Sequence, residues 1–318
     1  MRIFRTDQFP LPLPPGHRFP ARKYALLAQA VAGFAAEAMD AAPAASRYEL
    51  ALAHDDAYLD KVFKGTLSNA EQREIGLPWS PQLLERSRRS VGATIAAARW
   101  ALAQGCGVNL AGGTHHAGRA MGSGFCVFND IAVAARLMLD EGLARRALVL
   151  DLDVHQGDGT AAITRGDARI FTFSMHGAGN FPFRREPGSL DIELADGTGD
   201  AAYLAILAQQ LPRLFAAAAP DLVFYLAGAD PYAGDRLGKL ALSRDGLAQR
   251  DRMVLDACRQ AGTAVAVAMG GGYAVPIEDT VAIQTETVRL AWQTFGVTGQ
   301  ISHSAATDTH PPRQWSPT

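Results

Sequence analysis

Charge is scarce in this chain: only 19% of its 318 residues are charged, and the formal net charge is -2. A surface devoted to nucleic acid needs a basic excess, which this balance does not supply. Cysteine is scarcer still: Cys106, Cys126 and Cys258 are odd in number and form no C-x-x-C pair. That argues against a disulfide framework and a cysteine zinc site, so any metal must be held by His and Asp. No apolar run reaches membrane-spanning length without a charge, Gln or Pro. The opening MRIFRTDQFPLPLPPGH has its apolar stretch broken by prolines, unlike a secretory signal, and the cytoplasm is the default expectation. Neither an internal repeat nor a linker interrupts the body. What is plentiful is apolar: 48% of residues are hydrophobic, the composition of a globular protein with a large core.

The first third reads as helical, after a proline-rich start (2–20) expected to lie extended over the surface. The spacing predicts a helix over 24–42, a short helix entered through Asp55 as N-cap, and a long helix from Pro81 that stops at Gly105. From there short apolar runs alternate with helical stretches. GVNLAGG (107–113), ALVLDLD (147–153), RIFTFSM (169–175), DLVFYLAGAD (221–230) and AVAVAMGGG (264–272) are the strand candidates. Near-continuous apolar strands alternating with helices predict an α/β fold, a mostly parallel sheet covered on both faces. One domain is expected over 1–296. The polar, proline-containing 297–318 is expected to be a disordered tail.

Ligands of open α/β sheets bind beyond the carboxyl ends of the strands. The unusual polar residues gather there. His115 and His116 follow the first run; Asp151, Asp153, His155 and Asp158 the second; Ser174 and His176 the third; Asp230 the fourth; Tyr273 the fifth. In an extended segment Asp151, Asp153 and His155 point the same way. Asp153 and His155 can share one cation, and Asp230 can complete the set. Three protein ligands with an open position is the arrangement of a catalytic zinc, though these ligand types also suit manganese or ferrous iron. Asp151 and Asp158 then remain to orient two histidines for proton transfer. Tyr273, after a glycine run, can donate a hydrogen bond to a developing oxyanion. Each piece alone has a blander explanation: a structural His pair, an N-cap, a strand-end Asp, a tight turn. Their joint occurrence at strand ends is what carries the argument. His54, His303 and His310 are read as solvated or structural.

The stretches GTHHAGRAMGSGFCVFNDIAVAA, LVLDLDVHQGDGT, YLAGADPYAGDRLG and MGGGY resemble the zinc-dependent histone deacetylase family, which has the arginase/deacetylase fold. The resemblance runs from about Phe4 to near Trp292. It implies a single-domain three-layer αβα architecture and one Zn2+ held by Asp153, His155 and Asp230. It further implies that His115 pairs with Asp151 and His116 with Asp158, with His116 as general base and acid and His115 as an electrostatic helper. Tyr273 is then the residue that polarises the substrate carbonyl. Gly124 and Phe125 resemble one wall of an acyl-lysine channel, with Phe181 opposite. A structural monovalent cation, usually K+, is implied at Asp151, Ser174 and the backbone carbonyls of Asp153, His155 and Met175. Hydroxamate-type inhibitors are expected to bind the zinc.

NFPFRREPGSLDIELADGTGDAAYL and GLAQRDRMVLDACR look like class IV segments, and class IV members are associated with removing long fatty-acyl groups as well as acetyl. GRAMGSG, before Phe125, departs from the animal enzymes of that class. The leading expectation is therefore metal-assisted hydrolysis of an acyl-lysine in a protein or peptide. A small acylated amine such as an acetylpolyamine is the alternative; Asp55 and Asp56 are the candidates for the acidic gate it would want. A di-manganese ureohydrolase would need a carboxylate where Gly157 stands. A non-catalytic binding protein is disfavoured because every proposed catalytic position is filled.

Overall fold

The computed structural model describes residues 1–296. The expected tail, 297–318, with His303 and His310, lies outside the described residues. Strands β1 (Arg2–Arg5), β2 (Met39–Ala41), β3 (Cys106–Asn109), β4 (Ala147–Asp151), β5 (Ile170–Gly177), β6 (Leu190–Leu194), β7 (Leu222–Leu226) and β8 (Ala264–Ala268) form one sheet. It has eight strands in the order β2-β1-β3-β8-β7-β4-β5-β6, and every neighbouring pair is parallel. The α/β fold read from the sequence is thus the fold observed.

The two-residue period of the strands feeds two separate cores. In β4, Leu148 and Leu150 join one core and Ala147 and Val149 the other; in β7, Val223 and Tyr225 part from Leu222, Phe224 and Leu226 in the same way. Helices α1 (Lys23–Ala35), α8 (Asp200–Ala218), α9 (Arg244–Ala261) and α10 (Ile277–Phe295) cover the first core. The second lies under α2 (Arg47–Ala51), α3 (Asp56–Lys64), α4 (Asn69–Ile75), α5 (Pro81–Gln104), α6 (Asp130–Asp140) and α7 (Asp158–Thr164). A strand apolar on both faces has no side left for water, which is why these runs lack the polar alternation of a half-exposed sheet.

Several expectations need correction. The helix over 24–42 ends at Ala35; a 3-10 turn (Ala36–Ala38) follows, and Met39–Ala41 becomes the edge strand β2. The start of the chain is not wholly an extended surface segment, because Arg2–Arg5 enters the sheet between β2 and β3 with Ile3 fully buried. Helical spacing within 36–41 loses to pairing with β1, which gives that strand's backbone its second row of partners. Strand β6 and helices α2 and α4 were not anticipated. Asp55 does precede α3, but its side chain makes no capping hydrogen bond. The long helix runs as read from Pro81 to its stop at Gly105, and Ser80, not singled out in the sequence, caps it.

Helix α5 lies against β3 with no room between them: a Cβ on Gly107 would sit 2.2 Å from the carbonyl oxygen of Ala97. Gly107→Ala is therefore expected to lower stability by about 1–3 kcal/mol through overpacking. Gly33→Ala, in α1 with open space around it, should raise stability by roughly 0.5–1 kcal/mol. Denaturant unfolding of the two variants checks the contrast.

Candidate functional site

The carboxyl ends of β3, β4, β7 and β8 meet at one place, and the loops leaving them carry the candidate residues. Strand β4 stops at Asp151 and residues 153–155 bend. The three side chains therefore do not project as one extended row, as the spacing suggested. Asp151 turns to His115, whereas Asp153 and His155 turn to Asp230.

Nδ1 of His155 lies 3.0 Å from Asp153 Oδ1 and 3.2 Å from Asp230 Oδ2. One ligand atom from each of Asp153, His155 and Asp230 lies within 4.8 Å of the others. All three residues are buried, two of them carboxylates, and an anion-rich interior point of this kind calls for a cation. Burial works against a charged His155, but Asp153 and Asp230 facing it outweigh that and push it up to about 10. Burial, and then the charge of Asp153, pushes Asp230 up to about 7. The fit to a metal is independent of these shifts. Oδ2 of Asp230 is buried without an aligned hydrogen-bond donor. A Cβ on Gly271 would stand 1.8 Å from that oxygen, so the wall beside it is bare backbone. The other carboxylate oxygens each accept a backbone N–H: Asp153 Oδ2 from Gly271 at 2.7 Å, Asp153 Oδ1 from His155 at 3.0 Å and Asp230 Oδ1 from Val154 at 3.0 Å. The donor set of two carboxylates and one imidazole suits zinc.

Facing the trio are the two histidines. His115 Nδ1 is 2.7 Å from Asp151 Oδ2, and His116 Nδ1 is 2.6 Å from Asp158 Oδ1. Their rings are 4.2 Å apart. Burial opposes a charge on His115, yet Asp151 and Asp153 prevail and raise it to about 9. For His116, burial and the neighbouring His115 win over Asp158 and push it down to about 4. Two adjacent imidazoles are thereby poised for opposite protonation, one charged and one neutral.

The loop that presents them is held by residues that the sequence reading passed over. Asp130, at the start of α6, accepts from the backbone N–H groups of Gly113 at 3.1 Å and Thr114 at 2.8 Å and from the Thr94 hydroxyl at 2.5 Å. Asn129 caps α6 and donates to Ala117 O at 3.0 Å. His54, read as solvated or structural, is structural: buried, it has its Nδ1 2.9 Å from Gly118 O and accepts from Asn129 N–H at 2.9 Å.

Tyr273 is 8% exposed, and burial raises its phenol well above the ordinary value, keeping it a neutral donor. Asp235 accepts from its backbone N–H at 2.6 Å and Arg236 Nε donates to its carbonyl at 3.1 Å. Phe125 stands 6.0 Å from the Tyr273 ring and Phe181 4.9 Å from the His116 ring, each measured between centroids. Gly124 has φ +53° and packs on His116, where a Cβ would meet Cδ2 at 2.6 Å. Its N–H donates to Glu74 O and the Phe125 N–H to Ile75 O, so the end of α4 holds this wall. Phe125 itself has φ 68°, a strained value for a bulky residue. Between these walls a cavity of about 420 Å3 opens from His116, His155 and Tyr273 to solvent. A second of about 50 Å3 shares those residues and extends inward to Lys23 and Tyr24. Ser174 stands opposite Asp151 in the β4–β5 register, followed by buried Met175.

The sequence pattern of the histone deacetylase domain matches residues 17–288. The chain belongs to the histone deacetylase domain family. It is 47% identical over 282 residues to an uncharacterised protein of Picosynechococcus, covering 88% of this chain and 94% of that one. To histone deacetylase 2 of Arabidopsis thaliana it is 32% identical, covering 72% of this chain and 62% of the relative. To histone deacetylase 8 of Xenopus laevis it is again 32% identical, over 73% and 76%. The crystal structure of an HDAC homolog complexed with SAHA superposes with a TM-score of 0.78 at 23% identity, covering 91% of this chain and 83% of that one. At that identity the likeness shows the shared fold.

In this member of the histone deacetylase family, a buried arginine joins the two loops that carry the trio. Arg250, on α9, is fully buried. Its Nη1 donates to Gly228 O at 2.6 Å and to Leu152 O at 3.3 Å, the carbonyls just ahead of Asp230 and Asp153. Asp251 balances the charge, 2.8 Å from Arg250 Nε, and accepts from Tyr225 and Thr287. In the sequence GLAQRDRMVLDACR is a class marker and carries no signal for this contact, since only packing brings α9 behind both loops. Lysine cannot reproduce the planar fork. Arg250→Lys is expected to weaken metal retention about 10–100-fold, the usual cost of losing a group that orients ligands. Competition against a chromophoric chelator measures it, with unfolding of the metal-free protein as the control for global stability.

Proposed function

We propose that the protein is a zinc-dependent amidohydrolase that removes acyl groups from the side chains of acyl-lysine. The observation that carries this reading is convergence. Two carboxylate-backed histidines, Asp153, His155 and Tyr273 line one aromatic-walled cavity, and Asp230 completes the trio 3.2 Å behind His155. Asp153, His155 and Asp230 would hold the metal. When bound, zinc supplies a Lewis acid that polarises the amide carbonyl and makes water more acidic.

The chain's own groups do the rest. Asp158 fixes the His116 ring through Nδ1, which leaves Nε2 to take a proton from the attacking water and return it to the leaving amine. His116 suits the first task because burial keeps it neutral. His115, held charged by Asp151, supplies a positive field beside the reacting carbon. The Tyr273 hydroxyl donates to the oxygen that gains negative charge. Phe125 and Phe181 exclude water from the lysine stem. A structural K+ is proposed at Asp151, Ser174 and the carbonyls of Asp153, His155 and Met175, supported by the pairing of Ser174 opposite Asp151. The class IV assignment rests on the sequence segments alone.

For acyl length, the inner cavity of about 50 Å3 is the relevant space. A single water needs roughly 10–15 Å3 of such cavity space, so this volume holds only a few waters and suits a short acyl group such as acetyl. SAHA, a hydroxamate, is bound by a structural homolog, and hydroxamates are expected to inhibit this enzyme. For a di-manganese ureohydrolase, the described residues offer a single trio of potential ligands, and Gly157 supplies no further carboxylate.

Tyr273→Phe and His116→Ala are each expected to lower kcat on an acetyl-lysine peptide by about 100-fold or more; unchanged turnover in both sinks the mechanism. Metal analysis of the active form should find one zinc per chain, and chelation should abolish turnover until zinc is restored. In an acyl series from acetyl to myristoyl on one peptide, kcat/KM is expected to fall with length. A rise toward myristoyl would reassign the enzyme to fatty-acyl removal.

A further inference from the structure

The cavity leading to the site has a ring of charge at its outer end. Arg18, Arg73 and Lys239 line that end, with Glu74 as the carboxylate among them, and all four are exposed. The whole chain carries a formal net charge of -2, whereas among the lining residues three cations stand against one anion. Glu74 Oε1 already accepts from the Ser123 hydroxyl at 2.9 Å.

The cations belong to the pieces that build the channel. The Arg18 guanidinium stacks over Phe125, 5.1 Å from the ring centre, and its carbonyl accepts from Arg236 at 3.3 Å. Arg73 lies in the last turn of α4, the helix whose final carbonyls hold Gly124 and Phe125. Lys239 has Asp196 at 3.7 Å, an exposed and weak pair. Beside them Phe183 is 84% exposed, edge-on to Phe181 with ring centroids 6.2 Å apart. Asp55 and Asp56, the candidates for an acidic gate, are absent from the cavity lining; they pair with Arg119 at 3.3 Å and Arg47 at 2.9 Å.

A substrate whose amide reaches the cavity floor must rest its flanking atoms on this ring. We infer that the mouth selects acyl-lysine set in an acidic peptide segment, and selects against basic tails and acylated polyamines. This rests on the acyl-lysine reading of the site. Opposite charges across such a rim favour encounter and register, and like charges oppose both. Single exposed pairs are weak, so the selection is the joint effect of several. A preference of about five- to tenfold at low salt is the expected size.

The test uses one acetyl-lysine peptide with Glu at the flanking positions, its twin with Lys there, and N-acetylspermidine. At low salt kcat/KM should favour the Glu peptide over its twin by about five- to tenfold, chiefly through KM. The ratio should shrink as salt rises and approach one in the triple variant Arg18→Gln, Arg73→Gln, Lys239→Gln. Because both peptides are measured on the same preparation, partial unfolding of a variant cancels in the ratio. An equal or reversed ratio, a ratio the triple variant leaves intact, or faster turnover of N-acetylspermidine would each overturn the inference while leaving the amidohydrolase reading in place. No turnover of any of the three substrates would overturn the inference, and with no turnover of a myristoyl-lysine peptide either, the amidohydrolase reading falls with it.

Discussion

Four carboxylates, Asp151, Asp153, Asp158 and Asp230, are gathered at one edge of a parallel sheet, three of them buried. Like charges brought out of water repel one another and lose hydration, and the surrounding structure answers that cost group by group. Asp151 and Asp158 are matched to histidines. Asp153 and Asp230 receive backbone N–H donors and share His155. What remains unmatched is a lone pair on Asp230, bordered by bare glycine backbone. The need for a cation is thus the residue of an otherwise satisfied network.

The same logic explains the outer supports. Backbone that turns sharply after a strand cannot pair with the sheet, so its N–H and C=O groups must find side chains. Asp130 does this for the loop before His115, Asp235 for the loop of Tyr273, and Arg250 for the two loops of the trio. None of these three is among the groups proposed to meet substrate. Each fixes a loop that carries one that is, and the precision of the floor depends on them.

The mouth is assembled differently. Its walls come from the N-terminal segment, the end of α4, the loop around Phe181 and the segment before α9, which are distant in sequence and mostly exposed. Phe125 joins them: it contacts Phe19 with ring centroids 5.2 Å apart, Arg18 stacks on it, and α4 holds its backbone. A floor built from strand ends and a rim built from surface loops can change separately. Chemistry and substrate choice are therefore distinct properties of this fold.

Much of the floor was legible because its parts are contiguous words in the chain. Strand-end position and short spacing pointed to Asp153, His155 and Asp230, and the Asp151–His115 and Asp158–His116 pairs were named from the family resemblance. The strands β4, β7 and β8 could be read because burial on both faces makes them almost wholly apolar. Local pattern failed where partners decide: Met39–Ala41 pairs as a strand despite helical spacing, and Arg2–Arg5 is too short to declare itself. Arg250 looked like any helix-surface arginine until α9 packed behind two loops. The near-neutral composition hid a cationic mouth, because net charge sums over a surface that only folding arranges. The sequence by itself determined the residue types and their strand-end positions, since these follow from local periodicity and spacing. Tertiary structure alone decided how backbone is satisfied at the loops and which charges face the substrate, since both depend on contacts between segments far apart in the chain.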